Sequence, residues 1–402
     1  MRIILILLLT ALLCGCTAEH IGKDEPEEGS YNMISGGTSI MVVEEPSAQE
    51  ASYYVPKHME TKYASNALEG SELEAYEEIV KCISEYGDSI QYDMDSRIYN
   101  DLLNLANIEQ LSFAHVSGRK PGGYDMDTKR FSVKFSYRFT PEEMSNMNRV
   151  SEAAADKIME NITDDMSEYD ILKYFHDYLI RNCVSDTEDK YANTIYGTLV
   201  NGRALCEGYA KTFSYLCNRA GIENMIVTGM TDVAHMWNMV KVDGNWYHVD
   251  VTWDKPGGIL AERCPDMVMY QYFMVTDSVI ENDHTIWTVG KEPPHGYSTK
   301  ENYFVKEKLY ITSEDETEAA VKTALDNAVK DGLHTAMIKF DTNNLMLSAL
   351  SKLKEANSGG KPYLNDIIDE VCAENNVRLN ISWTDYYSPY RIIVFVIDYP
   401  EK

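Results

Sequence analysis

Leu205-Cys206-Glu207-Gly208-Tyr209-Ala210-Lys211-Thr212-Phe213-Ser214-Tyr215-Leu216-Cys217-Asn218-Arg219-Ala220-Gly221 is the stretch on which the rest of the chain turns. Tyr209, Ala210, Phe213, Leu216, Cys217 and Ala220 recur at three-, four- and seven-residue intervals, the spacing of an amphipathic helix, and Gly221 supplies the stop. Cys206 therefore falls in the first turn. There the unpaired backbone N–H groups and the positive end of the helix dipole favour a thiolate, the form that attacks carbon. Cys217 lies on the apolar side and is expected in the core.

A hairpin follows. Met236 to Val242 and Trp246 to Trp253 alternate like two strands around Asp243-Gly244, a two-residue turn signal. A loop of that length pairs Val242 with Asn245. It sets Met236, Asn238, Val240 and Val242 opposite Val251, Val249, Tyr247 and Asn245, which gathers a largely apolar face. The other face carries His235 and Trp237 on one strand and His248, Asp250 and Thr252 on the other. Asp250 then faces Trp237, one same-face step from His235, and a diagonal side-chain contact can join the two.

Acyl transfer through a cysteine needs a thiol activated by an imidazole, and an imidazole held in one tautomer by a carboxylate. Cys206 is the expected nucleophile, His235 the general base and then acid, and Asp250 the orienting group. His176, in a helix ahead of the nucleophile, is expected to pack or hydrogen-bond between helices. His248, on the Asp250 face, is either a supporting group or an alternative base. Glu207 and Asp254 are expected as solvated or structural carboxylates.

Several motifs together resemble the bacterial transglutaminase-like superfamily, whose core is papain-like. They are Tyr196-Gly197-Thr198-Leu199-Val200, Cys206-Glu207-Gly208-Tyr209-Ala210, Gly221-Ile222, His235-Met236-Trp237-Asn238 and Trp246-Tyr247-His248-Val249-Asp250-Val251-Thr252-Trp253-Asp254. The resemblance is close from about Asp164 to Asp254, runs on through Tyr270-Gln271-Tyr272-Phe273, and does not reach the last hundred residues. It implies a catalytic triad of Cys206, His235 and Asp250, and an α+β fold in which an antiparallel sheet packs on the nucleophile-bearing helix. The oxyanion hole would join the Cys206 N–H to a donor from another segment, with Tyr196 as the candidate. The family holds transglutaminases, which pass an acyl group to an amine, and also peptidases and amidases, which pass it to water. The triad does not separate them, and a fold kept only for surface binding is a third possibility.

At the amino terminus, Arg2 precedes an apolar run from Ile3 to Leu13, and Leu13-Cys14-Gly15-Cys16 follows. This resembles a lipoprotein signal over residues 1–15, with Cys16 as the acylated first residue of the mature chain. The run is too short to span a bilayer as a helix. The chain is then expected outside the bacterial cell, anchored to the membrane through Cys16. Residues 16–65, rich in Glu, Ser and Pro, are expected to form an acidic tether.

The formal net charge is −28 over 402 residues, with 64 acidic against 36 basic side chains. No basic stripe exists to replace counterions around phosphate, so a nucleic-acid partner is excluded, and a peptide or protein substrate, with cell-wall material among the candidates, is expected instead. Asp93-Met94-Asp95 and Asp125-Met126-Asp127 do not continue into a calcium loop, and the cysteines show no close C-x-x-C spacing. No metal or cofactor is expected. If Cys206 stays free, Cys82, Cys183, Cys217, Cys264 and Cys372 cannot all pair within one chain.

Pattern divides the rest. An α+β region is expected over 66–163, with helices at Glu72 to Tyr86 and around Tyr99 to Leu105, a strand at Arg130 to Phe139, and a helix from Pro141 capped by Thr140. The transglutaminase-like core would occupy 164–298, opening with a helix over Ser167 to Asn182. Alternating strand and helix patterns from Lys308 to Asp398 predict a C-terminal α/β module, 299–402, with a mixed sheet.

Overall fold

The computed structural model describes residues 54–356, 360–387 and 389–400. The expected leader at 1–15, Cys16 and most of the expected tether lie outside the described residues. The end of that tether does not run free: Thr61 N–H donates to Glu109 O at 2.9 Å, Leu111 N–H to Met59 O at 2.9 Å, and Ala64 N–H to the Glu109 carboxylate at 2.7 Å. Met59, Ala64 and Ser65 are buried. The packed body thus begins before residue 65, because Met59 and Ala64 bring apolar surface that polar composition around them concealed.

The first layer comprises α1 (Gly70–Ser84), β1 (Ser89–Tyr92), α2 (Ser96–Glu109), β2 (Val116–Asp125) and β3 (Arg130–Tyr137). The three strands pair antiparallel in the order β1-β3-β2. Ile79, Ile83, Leu102, Leu103 and Phe135 close a small core of their own beneath them. Two helices then lead to the site, α3 (Pro141–Met159) and α4 (Glu168–Asn182). Each starts with a reciprocal capping box, Thr140 with Glu143 and Ser167 with Asp170, which satisfies amides that the first turn leaves unpaired.

The central layer adds β4 (Val184–Ser185), α5 (Ile195–Leu199), β5 (Arg203–Ala204), α6 (Cys206–Ala220), β6 (Asn224–Met230), β7 (Ala234–Val242), β8 (Asn245–Val249), α7 (Gly258–Arg263), β9 (Phe273–Val275), α8 (Asp277–Ile280) and β10 (Thr285–Trp287). Five strands form an antiparallel sheet in the order β10-β6-β7-β8-β9. α6 lies on one face, where Asn238 Nδ2 donates to Ala210 O and Ser214 Oγ, each at 3.0 Å. Fully buried Phe213, Leu216, Val240 and Tyr247 fill the seam. Each such side chain contributes on the order of 1.5–3 kcal/mol by leaving water.

Two strand ends differ from expectation. β7 starts two residues early, at Ala234, because β6 pairs with it through Gly229↔His235 and Met230↔Ala234. β8 ends at Val249, not Trp253. The chain turns there, with Asp254 N–H donating to Asp250 O at 3.1 Å. Val251 consequently never pairs with Met236.

The carboxy-terminal part runs through α9 (Tyr303–Lys306), β11 (Tyr310–Ile311), α10 (Thr317–Asp331), β12 (Thr335–Phe340), α11 (Asn343–Lys354), α12 (Tyr363–Asn375), β13 (Asn380–Tyr387) and β14 (Ile392–Asp398). Its sheet has the order β11-β12-β14-β13, with β11 parallel to β12 and the rest antiparallel. The mixed sheet is as expected. Its apolar residues, among them Phe304, Ile338 and Phe395, belong to the same continuous cluster as Phe213 and Val240. The boundary near 299 therefore marks a change of pattern and not a gap in packing. Between the two parts lies a cleft of about 510 Å³, bordered by Lys173, Arg181, Tyr270, Tyr303 and His334. Cys206 is not among its lining residues.

Candidate active site

Cys206 is the first residue of α6 and is half-buried. Two local features fix it. Leu205 N–H donates to Ala192 O at 2.9 Å, which pins the residue before the helix. Gly208, within the same first turn, passes so close to the same carbonyl that a Cβ would stand 2.1 Å from Ala192 O. Only glycine permits that approach. Glu207 and the fully buried Lys211 form an i,i+4 ion pair at 2.9 Å, so Glu207 is structural.

The hairpin then delivers the other two groups. Asp243 and Gly244 take positive φ of 49° and 78°, a primed two-residue turn, and the register Val242↔Asn245, Val240↔Tyr247, Asn238↔Val249 follows from it. His235 Nε2–H donates to Asp250 Oδ2 at 2.6 Å. Cys206 acts on the same ring as a second partner, on the side of raising its proton affinity. The structure thus brings Cys206, His235 and Asp250 together. Burial alone would lower the His235 value, but the Asp250 carboxylate and the Cys206 contact outweigh it and push it up to about 10. Burial would raise that of the fully buried Asp250, yet His235 and His284 hold its carboxyl well below the usual range. Asp250 Oδ1 accepts from Trp253 N–H at 3.1 Å, so both carboxylate oxygens are used.

His284 is a member that sequence reasoning missed. Its Nε2 lies 3.1 Å from Asp250 Oδ2 and its Nδ1 lies 2.6 Å from Asp283 Oδ1. Asp283 in turn accepts from the Tyr272 hydroxyl. Thirty-four residues separate Asp250 from His284, with β9 and α8 between them, and no spacing rule links the two. The only sequence signal is a histidine directly after an aspartate beyond the aromatic segment. His235, Asp250 and His284 offer ligand atoms within 4.8 Å of one another, a donor set that also suits a metal ion. Here both histidines hydrogen-bond to the same Asp250 oxygen, which gives the trio the character of a proton-holding chain.

The remaining candidates separate by their partners. Trp237 Nε1–H donates to His248 Nδ1 at 3.0 Å, and His248 Nε2–H donates to Asp277 Oδ1 at 3.1 Å. That fixes a neutral tautomer with no free lone pair, and burial lowers the group further. His248 is therefore a supporting group and not a base. His176 bridges Asp177 and Asp254 between helix and turn, as a hydrogen-bonding residue, and Asp254 is fully buried. The Tyr196 ring meets Tyr191 edge-on at 5.3 Å and packs near Phe139, Met144 and Met147. Cys217 is fully buried, and burial drives its thiol far up; all six described cysteines are unpaired.

A family model described as "Transglutaminase-like superfamily" matches residues 152–251. The kyphoscoliosis peptidases of Homo sapiens and Mus musculus are 26 % identical over 126 residues and 25 % over 124. Each match takes in 26 % of this chain and 19 % of the relative, so the chain spans about a fifth of the length of these curated relatives. A structure described as "Crystal structure of a TGase" shares 16 % identity, with a TM-score of 0.26 over 42 % of this chain and 50 % of the other. A putative cysteine protease from Cytophaga hutchinsonii shares 12 %, with a TM-score of 0.22 over 34 % and 66 %. Structural likenesses at such TM-scores carry no argument about the chemistry of this chain. Members of the matched superfamily are typically cysteine-based enzymes. Residues 152–251, which contain Cys206, His235 and Asp250, form a transglutaminase-like superfamily domain of mixed helix and sheet.

Proposed function

We propose that this chain is a cysteine hydrolase, a peptidase or amidase acting on peptide or isopeptide bonds, held outside a bacterial cell by lipid on Cys16. The observation that carries the proposal is the convergence of Cys206 and the Asp250 carboxylate on the His235 ring. In the first half-reaction Cys206 Sγ bonds to the carbonyl carbon of the substrate while its proton passes to His235. The C–N bond then breaks. His235 returns the proton to the leaving amine, and a thioester remains on Cys206. In the second half, water gives a proton to His235 as its oxygen bonds to the acyl carbon; the C–S bond then breaks, the carboxylic acid leaves, and His235 returns the proton to Cys206 Sγ. Asp250 keeps the imidazolium oriented throughout.

The oxyanion of each tetrahedral intermediate would rest on the Cys206 N–H, which lies in the helix's first turn and has no intrahelical acceptor, and on Tyr196 as the second donor. That the curated relatives are named peptidases favours water as acceptor. The description of the matching family favours an amine, which makes protein-glutamine transamidation the second reading. The acidic chain, with no basic stripe, suits a peptide or protein substrate and no nucleic acid.

Intact-mass analysis of the chain lacking its first 16 residues, incubated with a glutamine-containing peptide library with and without a primary amine, tests the proposal. Cys206→Ala is the control. Cleaved or deamidated products absent from the control support hydrolysis, and amine adducts would replace it with transamidation. A folded wild-type protein that gives no product, and whose Cys206 also resists alkylation, would leave the fold as a binding module.

A further inference from the structure

Asp250 serves two histidines. His235 reaches its Oδ2 from β7 at 2.6 Å, and His284 reaches the same oxygen at 3.1 Å from the segment between α8 and β10. The second ring nitrogen of His284 faces another carboxylate, Asp283 Oδ1, at 2.6 Å. Ionised carboxylates only accept hydrogen bonds, so a ring caught between two of them satisfies both only by donating from both nitrogens. His248 makes the contrast, since one of its nitrogens receives the Trp237 N–H. The side chain of His284 is fully buried, and Trp237, Trp253 and Tyr272 wall it at centroid distances of 5.1, 4.7 and 5.2 Å. Little water screens its charge there.

We propose that His284 is a positioning residue of the Cys206 site: a buried cation that holds the Asp250 carboxylate beneath His235 and takes up part of its negative charge. The inference rests on the reading of Cys206, His235 and Asp250 given above. Without His284, Asp250 would devote its full charge to His235 and hold the imidazolium to higher pH. With it, His235 gives up its proton more readily. The two imidazole rings are 5.6 Å apart, so the second charge also acts directly on the first. The other groups facing this pair are Cys206 from α6, Asp254 from the turn after β8, and His248 with Asp277 and Glu281 from β8 and α8.

The test needs no natural substrate. Iodoacetate carries a carboxylate and iodoacetamide does not, so the ratio of their rates at Cys206 reports a cation beside the sulfur, and it falls as pH rises through the titration of His235. His284→Gln keeps a hydrogen-bond donor to Asp250 and removes the charge. The expected result is an upward shift of the ratio's midpoint by roughly one pH unit, with iodoacetamide still reacting at Cys206. A slower rate with an unmoved midpoint, or no change at all, would overturn the inference, because a merely structural residue does not move the midpoint. Neutron diffraction from deuterated crystals of the wild-type chain gives the answer even if the variant does not fold. Deuterium on both His284 nitrogens supports the proposal, and a bare nitrogen sinks it. Should wild-type Cys206 show neither enhanced alkylation nor preference for iodoacetate, the reading of the triad itself fails, whatever His284 does.

Discussion

His235 Nε2 and Asp250 Oδ2 stand 2.6 Å apart although the two residues are not paired across strands. The ladder between β7 and β8 ends at Asn238↔Val249, and Asp250 is the first residue beyond it. Its backbone is held from both directions, by Tyr272 O accepting its N–H at 3.2 Å and by Asp254 N–H donating to its carbonyl at 3.1 Å. The carboxylate thus reaches the imidazole from a fixed turn, with its second oxygen on Trp253 N–H.

Replacing Asp250 with Asn should uncouple that arrangement. The amide cannot balance the imidazolium, and it leaves His284 facing a neutral group. Hydrolysis and iodoacetate labelling at Cys206 should fall by about 10³–10⁴-fold. Urea denaturation should show a loss of about 3–5 kcal/mol, the usual result of leaving one member of a buried pair alone. An unchanged labelling rate would remove Asp250 from the site.

Stability should depend on pH in two windows. His235, pushed up to about 10, binds its proton more tightly folded than unfolded, so its contribution is complete below about 6.5 and is lost as pH rises through about 10. Asp177, held down at about 2 against its own burial by His176 and Lys173, contributes fully above about 3.8 and loses that as pH falls through about 2. Thermal midpoints should therefore be highest between about pH 4 and 6.5 and decline on either side. His235→Gln should flatten the alkaline decline.

His248→Ala should act on stability and not on the thiol. It leaves the Trp237 N–H without an acceptor in a buried position, which costs about 1–3 kcal/mol. Iodoacetamide labelling of Cys206 in the folded variant should stay within about twofold of wild type, a margin of some 0.4 kcal/mol in barrier. A collapse of labelling as large as that of His235→Ala would make His248 the base.

Gly208→Ala should shift the start of α6, since its Cβ would fall 2.1 Å from Ala192 O and 2.9 Å from Thr198 Oγ1. The expected loss is about 1–3 kcal/mol, with a drop in Cys206 reactivity as the helix moves away from His235. A crystal structure of the variant with the helix unmoved would contradict this.

Tyr196→Phe separates packing from chemistry. If the hydroxyl helps hold the oxyanion, turnover of an activated ester should fall by about 10²–10³-fold with little change in thermal midpoint. Unaltered turnover would assign Tyr196 to the aromatic contact with Tyr191 alone.

What could be read ahead of the structure was local. Cys206 at the start of α6, the Asp243-Gly244 turn and the capping residues Thr140 and Ser167 each follow from side chains within a few positions of one another. The hairpin register follows too, because a two-residue turn leaves one choice of pairing. The end of β8 was not legible, since Val251, Thr252 and Trp253 have strand-like side chains. Asp254 decides the matter by reaching back to His176 and to the Tyr272 N–H, contacts across 78 and 18 residues. Nor did composition disclose that residues 59–65 pack on Glu109 and Leu111.

By itself, then, the sequence determined the helix start that carries Cys206 and the hairpin that carries His235, since periodicity and turn geometry act over short range. Tertiary structure alone decided what surrounds them. It brought Asp283-His284 under Asp250, gave His248 to Trp237 and Asp277, and joined the carboxy-terminal sheet to the same core as α6. Those contacts depend on which buried polar groups find partners when the whole chain closes, and no local spacing encodes that.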